Sequence, residues 1–175
     1  MSMDVAKVLE CLNKARGMEM QAIHQYMVQK YLVWDMDLGQ LAPRLQMIAI
    51  DEMKHARRFA CRVDELGGDP NCQMSGTIAQ KQTIQEIFPY DQSLETNTVA
   101  TYNELAEACL KAGDPTSAAL FESIIKEEEV HLAYYTATAG HIKNLGDAFL
   151  AKFAGESKSM GPIHSFVKFM DKENI

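Results

Sequence analysis

The 175-residue sequence predicts an all-α protein: a four-helix bundle with a long crossover between helices 2 and 3 and a short fifth helix. Three observations predict it. Apolar residues recur at 3- and 4-residue steps through four stretches, each longer than 20 residues. Strong breakers, Gly67-Gly68 and Gly113-Asp114-Pro115, fall between those stretches. One polar pattern also occurs twice inside the apolar stripes: Glu19 followed by Glu52-x-x-His55, then Glu95 followed by Glu128-x-x-His131, every position displaced by 76 residues.

The first helix is expected over 4–36, with Asp4 as its N-cap and Leu12, Ala15, Glu19, Ala22, Ile23 and Tyr26 on one stripe. A short link at Asp37-Leu38-Gly39 leads to a second helix over 41–66. Pro43 falls in its first turn, where proline is tolerated, and Gly67-Gly68 supplies the left-handed stop. Its inner face is Leu45, Ile48, Glu52, His55, Phe59, Val63 and Leu66. Residues 69–90 carry Pro70, Gly76 and Pro89 in polar sequence, with a weak apolar patch at Ile84, Ile87 and Phe88, and read as the crossover. A connection of that length lets helices 2 and 3 run parallel. The third helix is expected over 91–112, capped by Asp91 and buried through Leu94, Glu95, Thr98, Tyr102, Leu105, Ala106 and Cys109. Gly113-Asp114-Pro115 is a stop, a cap and a first-turn proline. The fourth helix is expected over 116–143, with Phe121, Ile124, Ile125, Glu128, His131, Leu132, Tyr135 and Ile142 inward, and the fifth over about 147–154. One domain spans 1–155; residues 156–175 read as a mobile tail.

Composition narrows the class. Hydrophobic residues make up 47% and charged residues 23%, an ordinary globular balance. A net charge of −7 without a basic tail argues against nucleic acid and suits attraction of cations. Cys11, Cys61, Cys72 and Cys109 form no Cys-x-x-Cys, which excludes a thiolate iron site or zinc ribbon; Cys11, Cys61 and Cys109 read as small buried residues. No basic segment followed by an apolar run opens the chain and no run of 18 apolar residues occurs, so the cytoplasm is the expected compartment, without membrane contact.

Glu-x-x-His puts a carboxylate and an imidazole on one helix face. With 14 Glu and 5 His, one such motif is expected about 0.4 times by chance, and alone it marks core histidines and solvated acids. Two copies with an upstream Glu at the same distance are another matter. Glu19 and Glu52 are level across the first hairpin, as Glu95 and Glu128 are across the second. Each arm is about 16 residues, roughly 24 Å at 1.5 Å per residue, which sets the six residues deep in the bundle. Four carboxylates and two imidazoles there are a ligand set for two metal ions, iron favoured, able to pass two electrons to O2 or peroxide. Glu52 and Glu128 are placed to bridge, Glu19 and Glu95 to bind one metal each, and His55 and His131 likewise. Tyr26, two turns after Glu19, either hydrogen-bonds a terminal carboxylate or is plain core. Asp51 is expected to face solvent or a central cavity, His24 the surface or an interface, and Glu127 and Glu129 solvent. Met53 lies off the metal face, and packing against another helix is its ordinary role.

The segments Asp51-Glu52-Met53-Lys54-His55-Ala56, Lys126-Glu127-Glu128-Glu129-Val130-His131, Glu19 with Ala22-Ile23-His24-Gln25-Tyr26, and Leu66-Gly67-Gly68-Asp69-Pro70 resemble bacterioferritin, over about residues 4–154. The resemblance implies a ferritin-like bundle assembled from dimers into a 24-subunit cage holding ferric mineral. It makes Glu19, Glu52, His55, Glu95, Glu128 and His131 the ferroxidase centre. It also makes Met53 the axial ligand of a haem shared between two subunits at a two-fold axis, and implies a small redox partner protein. Many relatives carry a His where Met47 stands, forming with the residue matching Asp51 an iron site on the inner surface; Met47 departs from that pattern.

Iron storage coupled to Fe(II) oxidation is therefore the expected function, with O2 or H2O2 as oxidant and the centre either a lasting cofactor or a passage for iron. The alternative is a di-iron peroxidase or oxidase of the rubrerythrin type acting outside a cage. A protective scaffold with a vestigial site is a third class, which the acidic balance disfavours for DNA.

Overall fold

The computed structural model describes residues 3–155 and 165–173. Its elements are α1 (Val5–Asp35), α2 (Ala42–Glu65), α3 (Ile84–Lys111), α4 (Pro115–Leu145), α5 (Asp147–Leu150) and α6 (Phe166–Glu173). α1 packs along α2 and α3 along α4, and the two hairpins meet mainly through α1 on α3. The Asp4 N–H donates to Ala112 O at 2.8 Å, setting the start of α1 beside the end of α3. Gly155 N–H donates to Asp37 O at 2.9 Å, tying the end of α1 to the segment after α5. α1 and α4 therefore run one way, and α2 and α3 the other.

The ends are set by local chemistry. Asp4 caps α1 through Lys7 N at 3.1 Å, as expected. Asp114 caps α4 through Thr116 N and Ser117 N, both at 3.1 Å. Its carboxylate also takes Arg62 Nη2 at 3.1 and 3.0 Å, a charge-assisted tie from the end of α2 to the start of α4.

The crossover, 66–83, is fixed by one polar stripe of α1. Asn13 Nδ2 donates to Asp69 O, Ser75 N to Gly17 O, Gln21 Nε2 to Thr77 O and Gln25 Nε2 to Ala79 O. These α1 residues are four apart, one turn each, so the strap lies along the helix. Gly17 has no side chain for a reason: a Cβ there would stand 3.1 Å from Gln73 O.

The apolar core comes in two clusters. Val8, Leu12, Ala15, Phe59, Val63, Tyr102, Phe121 and Ile124 fill one end, and Tyr26, Val33, Leu41, Leu45, Ile48, Ile87, Phe88 and Tyr135 the other. In each helix the acid and histidine positions fall between the two.

Several expectations need correction. α3 starts at Ile84 rather than 91, because Ile84, Ile87 and Phe88 are its buried first turns and Pro89 is accommodated inside the helix. Asp91 is not a cap: it is buried, accepts Gln29 Nε2 at 2.7 Å, and burial pushes its pKa well above the carboxylate range. The fifth helix is a single turn followed by turns to Phe153. Cys61 is exposed while Cys11 and Cys109 are buried, since Cys61 lies outward on α2 beside Arg57 and Arg62. The tail is not loose over 165–173, where α6 docks on α2 and α4 with Phe166 fully buried; residues 156–164 lie outside the described part.

Candidate metal centre

The six residues of the repeated pattern meet in one buried cluster, none more than 2% exposed. α1 supplies Glu19, α2 Glu52 and His55, α3 Glu95, and α4 Glu128 and His131. One ligand atom from each of Glu19, Glu52, His55 and Glu128 fits within a 4.8 Å group, and so does one from each of Glu52, Glu95, Glu128 and His131. Glu52 and Glu128 belong to both groups.

The atoms explain that sharing. His55 Nδ1 lies 2.9 Å from Glu52 Oε2 and 3.0 Å from Glu128 Oε1. His131 Nδ1 lies 3.1 Å from Glu52 Oε1 and 3.1 Å from Glu128 Oε2. Each of these two carboxylates thus turns one oxygen to each imidazole. A single Nδ1–H can serve only one of its two carboxylates, and Glu52 Oε1 and Glu128 Oε1 have no hydrogen bond of proper geometry. A cation beside each Nδ1 would satisfy all four oxygens at once. Hard oxygens with two imidazole nitrogens are the donor set of iron, manganese or zinc.

Electrostatics agree. Burial first, then the charges of Glu128 and Glu52, hold Glu19 and Glu95 well above the ordinary carboxylate pKa. Burial opposes the charged form of His55 and of His131, but Glu128 and Glu52 respectively outweigh it, and both imidazoles titrate well above the ordinary value. Glu128 is pulled down to about 2, burial being overcome by His55 and His131. The raised values keep protons on Glu19, Glu95 and both imidazoles, and those protons are the counter-charge that a pair of cations would replace in this dry interior.

Around this set stands a second layer. Tyr26 Oη donates to Glu95 Oε1 at 2.5 Å, so of its two readings the carboxylate partner holds. Tyr102 Oη donates to Glu19 Oε1 at 2.6 Å. His55 Nε2 faces Glu127 Oε2 at 3.3 Å, and Arg58 Nη1 grips Glu127 Oε1 at 2.7 Å. His131 Nε2 faces Asp51 Oδ2 at 3.6 Å, beyond hydrogen-bond length. Asp51 Oδ2 instead accepts Phe166 N at 2.7 Å and Val167 N at 3.1 Å, while Oδ1 takes Lys54 Nζ at 2.8 Å.

Asp51 is therefore buried, facing neither solvent nor a cavity, and Glu127 is an ion-paired partner of His55 rather than a solvated charge. His24 and Glu129 are exposed, as expected. Met53 is 45% exposed, pointing away from the cluster. Met47 is buried. The roles of Tyr102, Asp51 and Glu127 went unread, yet the signal was present: Tyr102 is Tyr26 displaced by 76, and Glu127 is Asp51 displaced by 76.

Comparison with known proteins follows the same lines. A family model described as a ferritin-like domain matches residues 9–145. A bacterioferritin of Desulfovibrio desulfuricans is 50% identical over 156 residues, 89% of this chain and 87% of the relative. Those of Rhodobacter capsulatus and Mycobacterium leprae are 33% and 31% identical, over 81% and 80% of this chain and 88% of each relative. The crystal structure of the Desulfovibrio desulfuricans bacterioferritin, which describes its diiron site in different catalytic states, superposes with a TM-score of 0.88 at 49% identity, covering 90% of this chain and 92% of that one. Among the described residues no helix is long and apolar enough to cross a membrane. Fold, paired Glu-x-x-His motifs and relatives converge, and this chain belongs to the bacterioferritins, a family of the ferritin-like fold.

Proposed function

We propose that the protein is an iron-storage ferroxidase of the cytoplasm that oxidises Fe(II) at a di-iron centre and holds the ferric product in a 24-subunit cage. The observation that carries the proposal is the double sharing of Glu52 and Glu128, each with one oxygen turned to each imidazole. Glu52 and Glu128 would be shared by the two irons, with Glu19 and His55 completing one position and Glu95 and His131 the other. The diiron site of the Desulfovibrio relative supports that assignment.

The residues do three things. Tyr102 and Tyr26 hold the terminal carboxylates Glu19 and Glu95 by hydrogen bonds. The protons that the raised pKa values place on those carboxylates and on the imidazoles leave as Fe(II) enters, so loading is favoured as pH rises. The apolar clusters above and below exclude water from the acids. An Fe(II) pair held by these residues would supply two electrons in one encounter, reducing O2 with two protons to H2O2, or H2O2 with two protons to two waters.

Met53, 45% exposed, would hold a haem, and at a two-fold axis one Met53 from each of two subunits would reach the same group. Bound there, haem would carry electrons from a small redox partner protein to the stored iron.

The test is aerobic addition of several hundred Fe(II) per assembly. The native protein keeps the iron in solution and Glu52→Ala leaves it to precipitate; precipitation with both refutes storage. Native mass reads the cage, and a dimer mass would favour a peroxidase acting outside one. A visible spectrum reads haem, lost in Met53→Ala.

A further inference from the structure

The two halves of the centre differ in how their outer carboxylates are held. His55 and His131 each turn Nε2 away from the metal positions toward an outer carboxylate, Glu127 and Asp51, related by the same 76-residue displacement. An outer carboxylate that accepts a ligand imidazole's second N–H fixes the ring and strengthens it as a donor, and its loss typically costs about 10–100-fold in metal affinity. On the His55 side the contact is 3.3 Å, and Glu127 is pinned by Arg58. On the His131 side the contact is 3.6 Å, and His131 Nε2 is buried without a hydrogen-bond partner among the described residues.

On the His131 side the outer carboxylate also meets the C-terminal helix. Asp51 is 1% exposed, and its Oδ2 caps the first turn of α6 through Phe166 N and Val167 N. Phe166 seals the junction: its ring centroid stands 4.7 Å from Tyr134 and 6.2 Å from His131. Arg44 spans the rings of Tyr134 and Phe169 at 5.9 Å each, holding the helix from the other side. Among the described residues no element does this to Glu127.

We propose that α6 makes the two metal positions unequal: by taking the Asp51 carboxylate into its first turn it weakens the outer hydrogen bond of His131, so that the Glu19–His55 position fills first and the Glu95–His131 position second. The inference rests on the two-metal assignment above. α6 is a positioning element, since nothing in it reaches the cluster of acids itself.

The test is anaerobic titration of the full-length metal-free protein with Co(II), followed by visible d–d absorption. Repulsion between two cations separates the steps even in a symmetric centre, so the informative quantity is the change on releasing α6. Phe166→Asp sets a carboxylate against Asp51 and spoils the aromatic seat, and Phe166→Asp with Phe169→Asp removes both anchors. In these variants His131 regains Asp51, and the second step tightens by about 10-fold while the first holds still. Phe166→Leu keeps an apolar seat and the native separation. Glu127→Gln weakens the first step alone, assigning it. Two equal steps in the native chain, or a separation untouched in both aspartate variants, would overturn the inference while leaving a two-metal centre standing. If the native chain binds no cobalt, the metal-centre assignment falls and takes this inference with it.

Discussion

At the scale of single residues, sharing decides how much each ligand matters. Glu52 and Glu128 face both imidazoles, whereas Glu19 and Glu95 each belong to one group. Glu52→Ala is therefore expected to abolish bound metal at both positions, and Glu95→Ala to leave about one metal per chain, measured by metal analysis after equilibrium dialysis. The two tyrosines make a parallel case. Tyr26→Phe leaves Glu95 Oε1 without its donor in a dry interior, and Tyr102→Phe does the same to Glu19 Oε1. Each is expected to destabilise the metal-free protein by about 1–3 kcal/mol in denaturant melts. The hydrogen bonds serve different halves of the centre, so the double variant should lose roughly the sum.

At the scale of elements, the strap along α1 shows how a crossover becomes a defined structure. Asn13, Gly17, Gln21 and Gln25 bond it at every turn, and at Gly17 a Cβ would meet strap backbone, Gln73 O at 3.1 Å and Ser75 N at 3.6 Å. Gly17→Val is expected to push the strap off, costing about 1–3 kcal/mol in spite of a better helix former, with faster amide exchange over 71–79 than elsewhere. This ladder could not be read from sequence, because its polar residues look like an ordinary solvated face. What was legible follows from periodicity and punctuation: α1, α2 and α4 lie close to their expected bounds, since strong caps and stops delimit them. The start of α3 was hidden by Pro89, a breaker by rule that the helix absorbs, and by a short apolar patch. α6 was hidden because an eight-residue amphipathic helix has little stability alone and acquires it by docking on α2 and α4, with Phe166 on Tyr134 and Asp51 capping its first turn. The six-residue centre was legible because a repeat is visible without knowing the fold. Asp51 and Glu127 share that repeat's displacement, but it does not tell their contacts, because an acid beside a ligand looks solvated until the neighbouring helices are in place.

At the scale of the whole molecule, a layer of acids between two apolar clusters ties stability to pH and metal together. Glu19 and Glu95 have folded pKa values raised above the ordinary 4.5 by burial and by neighbouring acids. Their protons are held more tightly in the folded chain, so their contribution is complete below about 4.5 and is lost as pH rises through the raised values. His55 and His131, raised above 6.5, carry the same sign: their stabilisation is present below 6.5 and disappears as pH climbs through their folded values. Glu128 runs the other way, present above 4.5 and lost only as pH falls toward its depressed value of about 2. With four raised groups against one depressed, the metal-free protein is expected to weaken as pH rises above about 4.5 and again above about 6.5. A metal pair replaces the departing protons as counter-charge, and its binding free energy adds to folding. Calorimetry is thus expected to show the metal-free Tm falling as pH rises while the increment from bound Co(II) grows. In Glu52→Ala the increment should vanish at every pH, because the carboxylate common to both positions is gone. A metal-free Tm that rose toward pH 8 would mean that the buried acids are already balanced by charge other than a metal ion.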